Sequence, residues 1–261
     1  MRENSVKRAW RDGKTTYGGW LSVPSAFSAE VMAHQGFDWL NIDMQHGVID
    51  YQVAVNMLLA IGTTNATPFV RVPWNEPGII GKMLDAGAMG IIIPMVNTPD
   101  EARAAVGACR YAPAGRRSYG PTRAALYAGA DYFSRADDEI ACIPMVETKQ
   151  AFSVLDGILA VPGIDAVYVG PADMSITLGQ PPRMDNDGAF EEVRLEIAGA
   201  CAKRGIVAGI HGDASLAPKH AAAGYRMITI TSDIAAIAAS AARDLASVRG
   251  ARPGQTPDAT V

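Results

Sequence analysis

Short apolar runs alternate along the chain with longer segments in which apolar residues recur every three or four positions, from residue 17 to residue 248. Runs of four to seven residues at 17–23, 39–45, 68–72, 90–96, 141–146, 166–169, 207–212 and 227–233 are too short for helices and predict strands. Between them, helical spacing at 50–61, at 148–159 (Ala151, Val154, Leu155, Ile158) and at 234–248 predicts helices. Start and stop signals agree: Thr98-Pro99-Asp100-Glu101 is an N-cap with Pro at the first helical position, and Gly36 and Pro162-Gly163 end their segments. Eight strands alternating with helices in about 250 residues fit a (β/α)8 TIM barrel better than an open doubly wound sheet.

A weak internal echo, Ile93-Pro-Met-Val-Asn-Thr against Ile143-Pro-Met-Val-Glu-Thr, suggests repetition. Pro94 and Pro144 forfeit ladder hydrogen bonds, so both are expected late in their strands, near the mouth. The stretch after Tyr111, rich in Gly, Pro and Arg up to about residue 139, breaks the rhythm and reads as a long strand-to-helix loop of the kind that carries function. One domain spanning 1–261 is expected, with a frayed tail from about residue 250.

Composition narrows the partners. With 49% apolar and 19% charged residues and a net charge of -4, nothing predicts a nucleic-acid surface, and a small molecule is the expected partner. The charged opening stretch has no apolar core, and no run approaches the roughly 18 apolar residues of a membrane span, which predicts a cytoplasmic protein. Cys109, Cys142 and Cys201 are odd in number, far apart and set in apolar surroundings, which favours reduced thiols.

A barrel of this kind places its active site at the C-terminal ends of the strands. The residues there are Gln45, His46, Arg71, Glu147, Asp173 and, further on, His211 and Asp233. The stretch 141–173 reads strand, helix, strand, and each strand runs into a carboxylate. Parallel strands joined by a crossover helix end on one side of the sheet, so Glu147 and Asp173 should approach each other and form a hard-cation site; the alternative is that each caps the following helix. His46 beside Asp43 suits a general base or an ordinary loop histidine. Arg71 suits a carboxylate or keto-acid oxygen, or a structural ion pair with a neighbouring acid. Gly170-Pro171-Ala172 brings backbone N–H groups close to Asp173, to hold a substrate carboxylate or simply to turn the chain. His211 and His34 read as packing or loop residues. No Lys ends a strand, which argues against a Schiff-base aldolase and for metal activation, and no GxSxG or CxxC motif is present.

Asp43-Met-Gln-His46-Gly, Phe69-Val-Arg71-Val-Pro-Trp-Asn-Glu-Pro, Leu84-Asp85-Ala-Gly-Ala, Ile93-Pro-Met-Val, Val146-Glu147-Thr and Gly170-Pro-Ala-Asp173, in this order, resemble the HpcH/HpaI aldolases, the metal-dependent class II pyruvate aldolases. The resemblance runs from about Gly18 to the last helix. It implies a (β/α)8 barrel of the phosphoenolpyruvate/pyruvate superfamily, a hexamer built as a trimer of dimers that exchange their last helix, and cleavage of a 4-hydroxy-2-oxo acid to a 2-oxo acid and an aldehyde. It implies Glu147 and Asp173 as ligands of Mg2+, Mn2+ or Co2+, Arg71 as the residue that stabilises the enolate, and His46 as the base, a task that a metal-bound water could also perform. Asp85 matches the carboxylate that raises the basicity of this histidine from a neighbouring subunit, and Ala172 and Asp173 match the backbone that meets the pyruvate carboxylate. Gln45 stands where many members carry Glu, and Met145 where many carry Gln; since Met145 lacks an amide's hydrogen bonds, an altered acceptor preference is expected. The 115–123 loop is expected to close over the mouth, with Arg116, Arg117 and Arg123 meeting an acidic or polyhydroxylated aldehyde. Two other readings compete: a CoA-thioester lyase of the citrate-lyase β type, which needs a basic groove, and a degenerate 2-oxo-acid-binding protein, suggested by Gln45 and Met145.

Overall fold

The computed structural model describes residues 1–249, and the predicted frayed tail lies outside them. Helix α1 (Ser5–Arg11) precedes eight strands: β1 (Thr16–Leu21), β2 (Trp39–Asp43), β3 (Thr67–Arg71), β4 (Gly90–Ile93), β5 (Ala141–Pro144), β6 (Ala166–Val169), β7 (Val207–Ile210) and β8 (Met227–Ser232). The connecting helices are α2 (Ala26–Ala33), α3 (Tyr51–Ile61), α4 (Pro77–Asp85), α5 (Pro99–Cys109), α6 (Thr122–Ala128), α7 (Tyr132–Glu139), α8 (Lys149–Ser153) and α9 (Leu155–Leu159). After β6 come α10 (Pro171–Thr177), α11 (Ala189–Arg204), α12 (Ala217–Ala222) and α13 (Asp233–Arg249). The ladder runs β5-β4-β3-β2-β1-β8-β7-β6, all parallel, and a Met145–Tyr168 bridge links its two ends, so the sheet is a nearly closed (β/α)8 barrel.

Strand parity sorts the side chains. Trp39, Phe69, Ile92, Ile143, Tyr168 and Met227 face inward and form one buried cluster, while Leu40, Ile42, Val70, Ile91 and Val167 face the helices in the other. Space for the inner aromatics comes from glycines on neighbouring strands: a Cβ on Gly18 would sit 2.2 Å from the Trp39 ring, one on Gly90 2.6 Å from Phe69, and one on Gly209 2.7 Å from Tyr168.

The opening segment is part of the fold. Asn4, with no exposure, caps α1 and donates to the carbonyls of Met89 and Glu139 at 3.0 and 2.8 Å, at the entries to β4 and β5. Val6 and Trp10 then join the inner cluster and close the barrel floor. Two further expectations are corrected. The stretch after Tyr111 follows α5 and leads into β5, so it is a helix-to-strand excursion on the barrel floor, and it contains α6 and α7. The Ile-Pro-Met-Val echo is not structural repetition: Ile93 pairs with Pro144, so Ile93 faces the helices while Ile143 faces the interior. Pro94 does lie just past β4, and Pro144 ends β5.

The three cysteines are buried and free. No helix among the described residues is long and apolar enough to cross a membrane.

Candidate active site

Continuing the inward parity to the strand ends sets Trp20 (β1), Asp43 (β2), Arg71 (β3), Glu147 (beyond β5), Gly170 (beyond β6) and His211 (beyond β7) around the mouth. Arg71 and Asp43 form a two-pronged ion pair: Nε donates to Oδ1 at 2.9 Å and Nη2 to Oδ2 at 2.7 Å. Asp43 Oδ2 also accepts from the Trp20 indole at 3.1 Å, Oδ1 accepts from the backbone N–H of Gln45 and His46, and the guanidinium lies 4.9 Å from the Trp20 ring. Burial works to raise the Asp43 pKa, but the hydrogen bonds and charge of Arg71, with Trp20 and Gln45, outweigh it and hold the carboxyl below its ordinary value. Arg71 is thus fixed through Nε and Nη2, and Nη1 has no partner among the described residues.

Glu147 is 2% exposed. Its Oε1 accepts from the Met95 N–H at 2.7 Å, and Met95 stands at a left-handed φ of 54°. Such a conformation costs a residue with a side chain about 1–3 kcal/mol and is characteristic of functional sites. Oε2 takes no hydrogen bond among the described residues. Burial pushes the Glu147 carboxyl up to about 7, the negative charge of Asp173 adds to the rise, and Met95 and Arg71 oppose it. An acid raised by burial beside a second carboxylate is a site short of positive charge, and two oxygen-donor side chains suit a hard divalent cation. No group of three or more acidic, His or Cys side chains fit for a metal occurs among the described residues.

The raised carboxyl has a consequence for pH. Because its folded pKa lies above the ordinary range, Glu147 favours the fold when protonated; that contribution is complete below the unfolded pKa, about 4.3, and is lost as pH rises through about 7. Metal-free protein is therefore expected to lose thermal stability between pH 5 and pH 8 by more than Glu147→Gln does, in paired melting curves.

Gly170 follows from the same packing: a Cβ there would lie 2.4 Å from Glu147 Oε2 and 3.2 Å from Met145 Cε. Gly170→Ala is expected to displace the carboxylate, with turnover and divalent-cation affinity falling together while the fold is retained, as read by calorimetry beside a melting curve. Pro171 opens α10, and Asp173 lies in its first turn, where the N–H groups of Ala172 and Asp173 have no carbonyl one turn earlier to bond. Met145 is 1% exposed and packs against this corner.

His46 is exposed, with no side-chain partner among the described residues. Asp85 does not join the mouth of its own chain. It ends α4, which runs back from the mouth, and it binds Arg117 Nη2 at 2.7 Å on the floor side. Arg117 is buried, also donating to the Tyr132 hydroxyl, and Arg123 donates to the carbonyls of Leu58 and Ala86. These two arginines are therefore engaged on the floor and cannot close over this chain's mouth, nor do they form a basic groove for CoA. Asp233 accepts from the N–H groups of Ser22, Val23 and Ile234, a structural role. His34, exposed, ends α2. Asp43, Trp20 and His211 complete the mouth; local sequence sets Asp43 only beside His46, and the i, i+2 parity of each strand is the signal that places all three.

Fold and mouth define a class first: a (β/α)8-barrel enzyme acting on small molecules. The HpcH/HpaI aldolase/citrate lyase family model matches residues 16–239, and the chain belongs to that family. It is 40% identical over 252 residues to the hydroxypyruvate/pyruvate aldolase of Rhizorhabdus wittichii, covering 94% of this chain and 99% of that one. It is 36% identical over 262 residues to the 4-hydroxy-2-oxo-heptane-1,7-dioate aldolase of Shigella sonnei, covering 97% and 99%. A solved HpcH/HpaI aldolase/citrate lyase family protein from Burkholderia cenocepacia superposes with a TM-score of 0.89 at 35% identity, covering 95% of this chain and 100% of that one. Aldolase-named relatives over nearly the whole chain support a carbon–carbon lyase.

Proposed function

We propose that the protein is a divalent-metal-dependent aldolase that cleaves a 4-hydroxy-2-oxo acid to pyruvate, or a related 2-oxo acid, and an aldehyde. The observation that carries this reading is the buried Glu147 carboxylate, raised beside Asp173 and facing a strand-end guanidinium already fixed by Asp43. Glu147 and Asp173 would hold Mg2+, Mn2+ or Co2+. When bound, the cation supplies Lewis acidity toward the keto oxygen of the substrate. Arg71, through Nη1, stabilises the negative charge that gathers on that oxygen, and its fixed orientation means that little rearrangement accompanies the step. The N–H groups of Ala172 and Asp173, past Gly170 and Pro171, receive the substrate carboxylate, and Met145 lines the pocket without donating to it.

Cleavage begins with removal of the C4 hydroxyl proton. The C4 oxygen then forms the aldehyde carbonyl, the C3–C4 electron pair becomes the C2–C3 double bond of the enolate, and a proton returned to C3 gives the 2-oxo acid. His46 is the base in this reading, with Asp85 of a neighbouring copy as its partner, since Asp85 of the same chain lies on the floor. Such an assembly, a trimer of dimers exchanging α13, is supported by that helix, which leaves Ile234, Ile237, Leu245 and Val248 exposed along one chain. Three buried free thiols favour a reducing compartment, the cytoplasm.

Exchange of pyruvate C3 hydrogens with deuterated water tests the enolate half of the reaction without knowledge of the aldehyde. Exchange that requires added Mn2+ or Mg2+ and is lost in Arg71→Ala supports the reading; metal-independent exchange, or none with folded protein and bound metal, overturns it.

A further inference from the structure

His211 is the mouth residue without a role in the reaction above. It follows Val207 and Gly209 on the inward face of β7, and its backbone N–H donates to the Val169 carbonyl at 3.1 Å, which sets it beside Gly170. Its ring meets Trp20 edge-on, with centroids 4.8 Å apart. Trp20 in turn stacks on Tyr168 at 5.6 Å and holds Asp43, so the imidazole belongs to the same framework as the Arg71 clamp.

The hydrogen bonds around the ring fix where its proton sits. Nδ1 lies 3.4 Å from the Tyr168 hydroxyl, which also bonds Thr229 Oγ1. Tyr168 and Thr229 have no exposure. If Tyr168 donated to Thr229, the buried Thr229 proton would have no acceptor among the described residues, an expensive arrangement. The order that satisfies both hydroxyls runs from Thr229 to Tyr168 to His211 Nδ1. An imidazole that accepts at Nδ1 carries its proton on Nε2. Burial, with the Arg71 charge, pushes the His211 pKa down to about 4 against the opposing effect of Asp43, so the ring is neutral at pH 7. The one side-chain hydrogen bond of His211 among the described residues is at Nδ1, and the half-buried ring leaves Nε2 open to the mouth.

We propose that His211 is a specificity-determining residue whose Nε2–H donates to a hydroxyl oxygen of the substrate. The site then favours hydroxylated reactants: a 2-oxo acid with a hydroxyl on C3, or an aldehyde with one beside its carbonyl. A methyl group in the same place leaves the donor unpaired and is disfavoured for that reason. The inference rests on the aldolase reading of the mouth, and the test below separates the two.

Hydroxypyruvate and pyruvate are titrated into Mg2+-loaded protein by calorimetry, and glycolaldehyde is compared with acetaldehyde by kcat/KM. Both arms use wild type, His211→Leu, His211→Gln and Tyr168→Phe. A preference of about 10-fold for the hydroxylated member is expected in one arm. It should collapse in His211→Leu, return in part in His211→Gln, which keeps a donor, and weaken in Tyr168→Phe. The arm that changes names the reactant bearing the hydroxyl. Imidazole 15N shifts should show the Nε2–H tautomer. Equal preference ratios in folded wild type and His211→Leu in both arms, or an Nδ1–H tautomer, would overturn the proposal. If the wild type fails to catalyse any aldol reaction yet binds hydroxypyruvate in a His211-dependent way, the aldolase reading falls and the His211 assignment stands.

Discussion

Arg71→Ala is expected to lower turnover by about 10²–10³-fold, the usual cost of removing a fixed donor from a developing oxyanion. It should also destabilise the fold by about 3–5 kcal/mol, because it leaves Asp43 ionised and buried with its main partner gone. Both ends of the pair are enclosed, with side chains 11% and 2% exposed, so solvent offers little compensation. The two effects can be separated. Asp43→Asn keeps the guanidinium but frees it to rotate, so it should reduce turnover while costing less stability than Arg71→Ala. Arg71→Lys keeps the charge but cannot span both carboxylate oxygens, and it should recover only part of the rate. A double-mutant cycle on Asp43 and Arg71, read by chemical denaturation and by turnover, should show strong coupling in both. Additive effects in both readouts would mean that the pair does not act as one unit.

The second large effect is expected at Glu147. Glu147→Gln removes one of two carboxylates, and Mn2+ affinity should fall by more than the roughly 10–100-fold that follows loss of an outer hydrogen-bonding partner of a metal ligand. Activity should fall with it, and raising the Mn2+ concentration should restore only part. The variant should fold at least as well as the wild type without metal, since it carries no buried charge beside Asp173. Unchanged Mn2+ affinity by calorimetry in a folded Glu147→Gln protein would remove this carboxylate from the metal site.

The rhythm of strands and helices was legible because each strand is a short apolar run closed by a Gly, Pro or capping signal, and Thr98 caps α5 as its sequence context suggests. The ends of α1 were not legible: seven residues with only Val6 and Trp10 buried give no periodicity, and their purpose, closing the floor, depends on strands far along the chain. The 111–139 stretch failed for a related reason. Its Gly and Pro content marks an irregular segment, but whether that segment lies at mouth or floor depends on which element precedes it.

At the site, Glu147, Asp173 and Arg71 were accessible because polar residues directly after apolar strand runs fall at the mouth of a barrel. For Arg71 the sequence offers only an unnamed neighbouring acid as an alternative partner, and it sets Asp43 beside His46, although Asp43 ends its strand in register with Arg71. His211 was set aside as a packing residue because a lone histidine shows nothing of the Thr229 and Tyr168 hydroxyls that orient it. The engagement of Asp85 with Arg117 joins residues 32 positions apart and leaves no local signal.

The most direct test of a metal-dependent aldolase mouth built on Glu147, Asp173 and Arg71 is pyruvate release from a panel of 4-hydroxy-2-oxo acids. Chelated protein is assayed with and without added Mn2+ or Mg2+, beside Glu147→Gln and Arg71→Ala. Release that appears only with added metal and is lost in both variants is the expected result. Release that persists after chelation, or that survives in either variant at the wild-type rate, would contradict it.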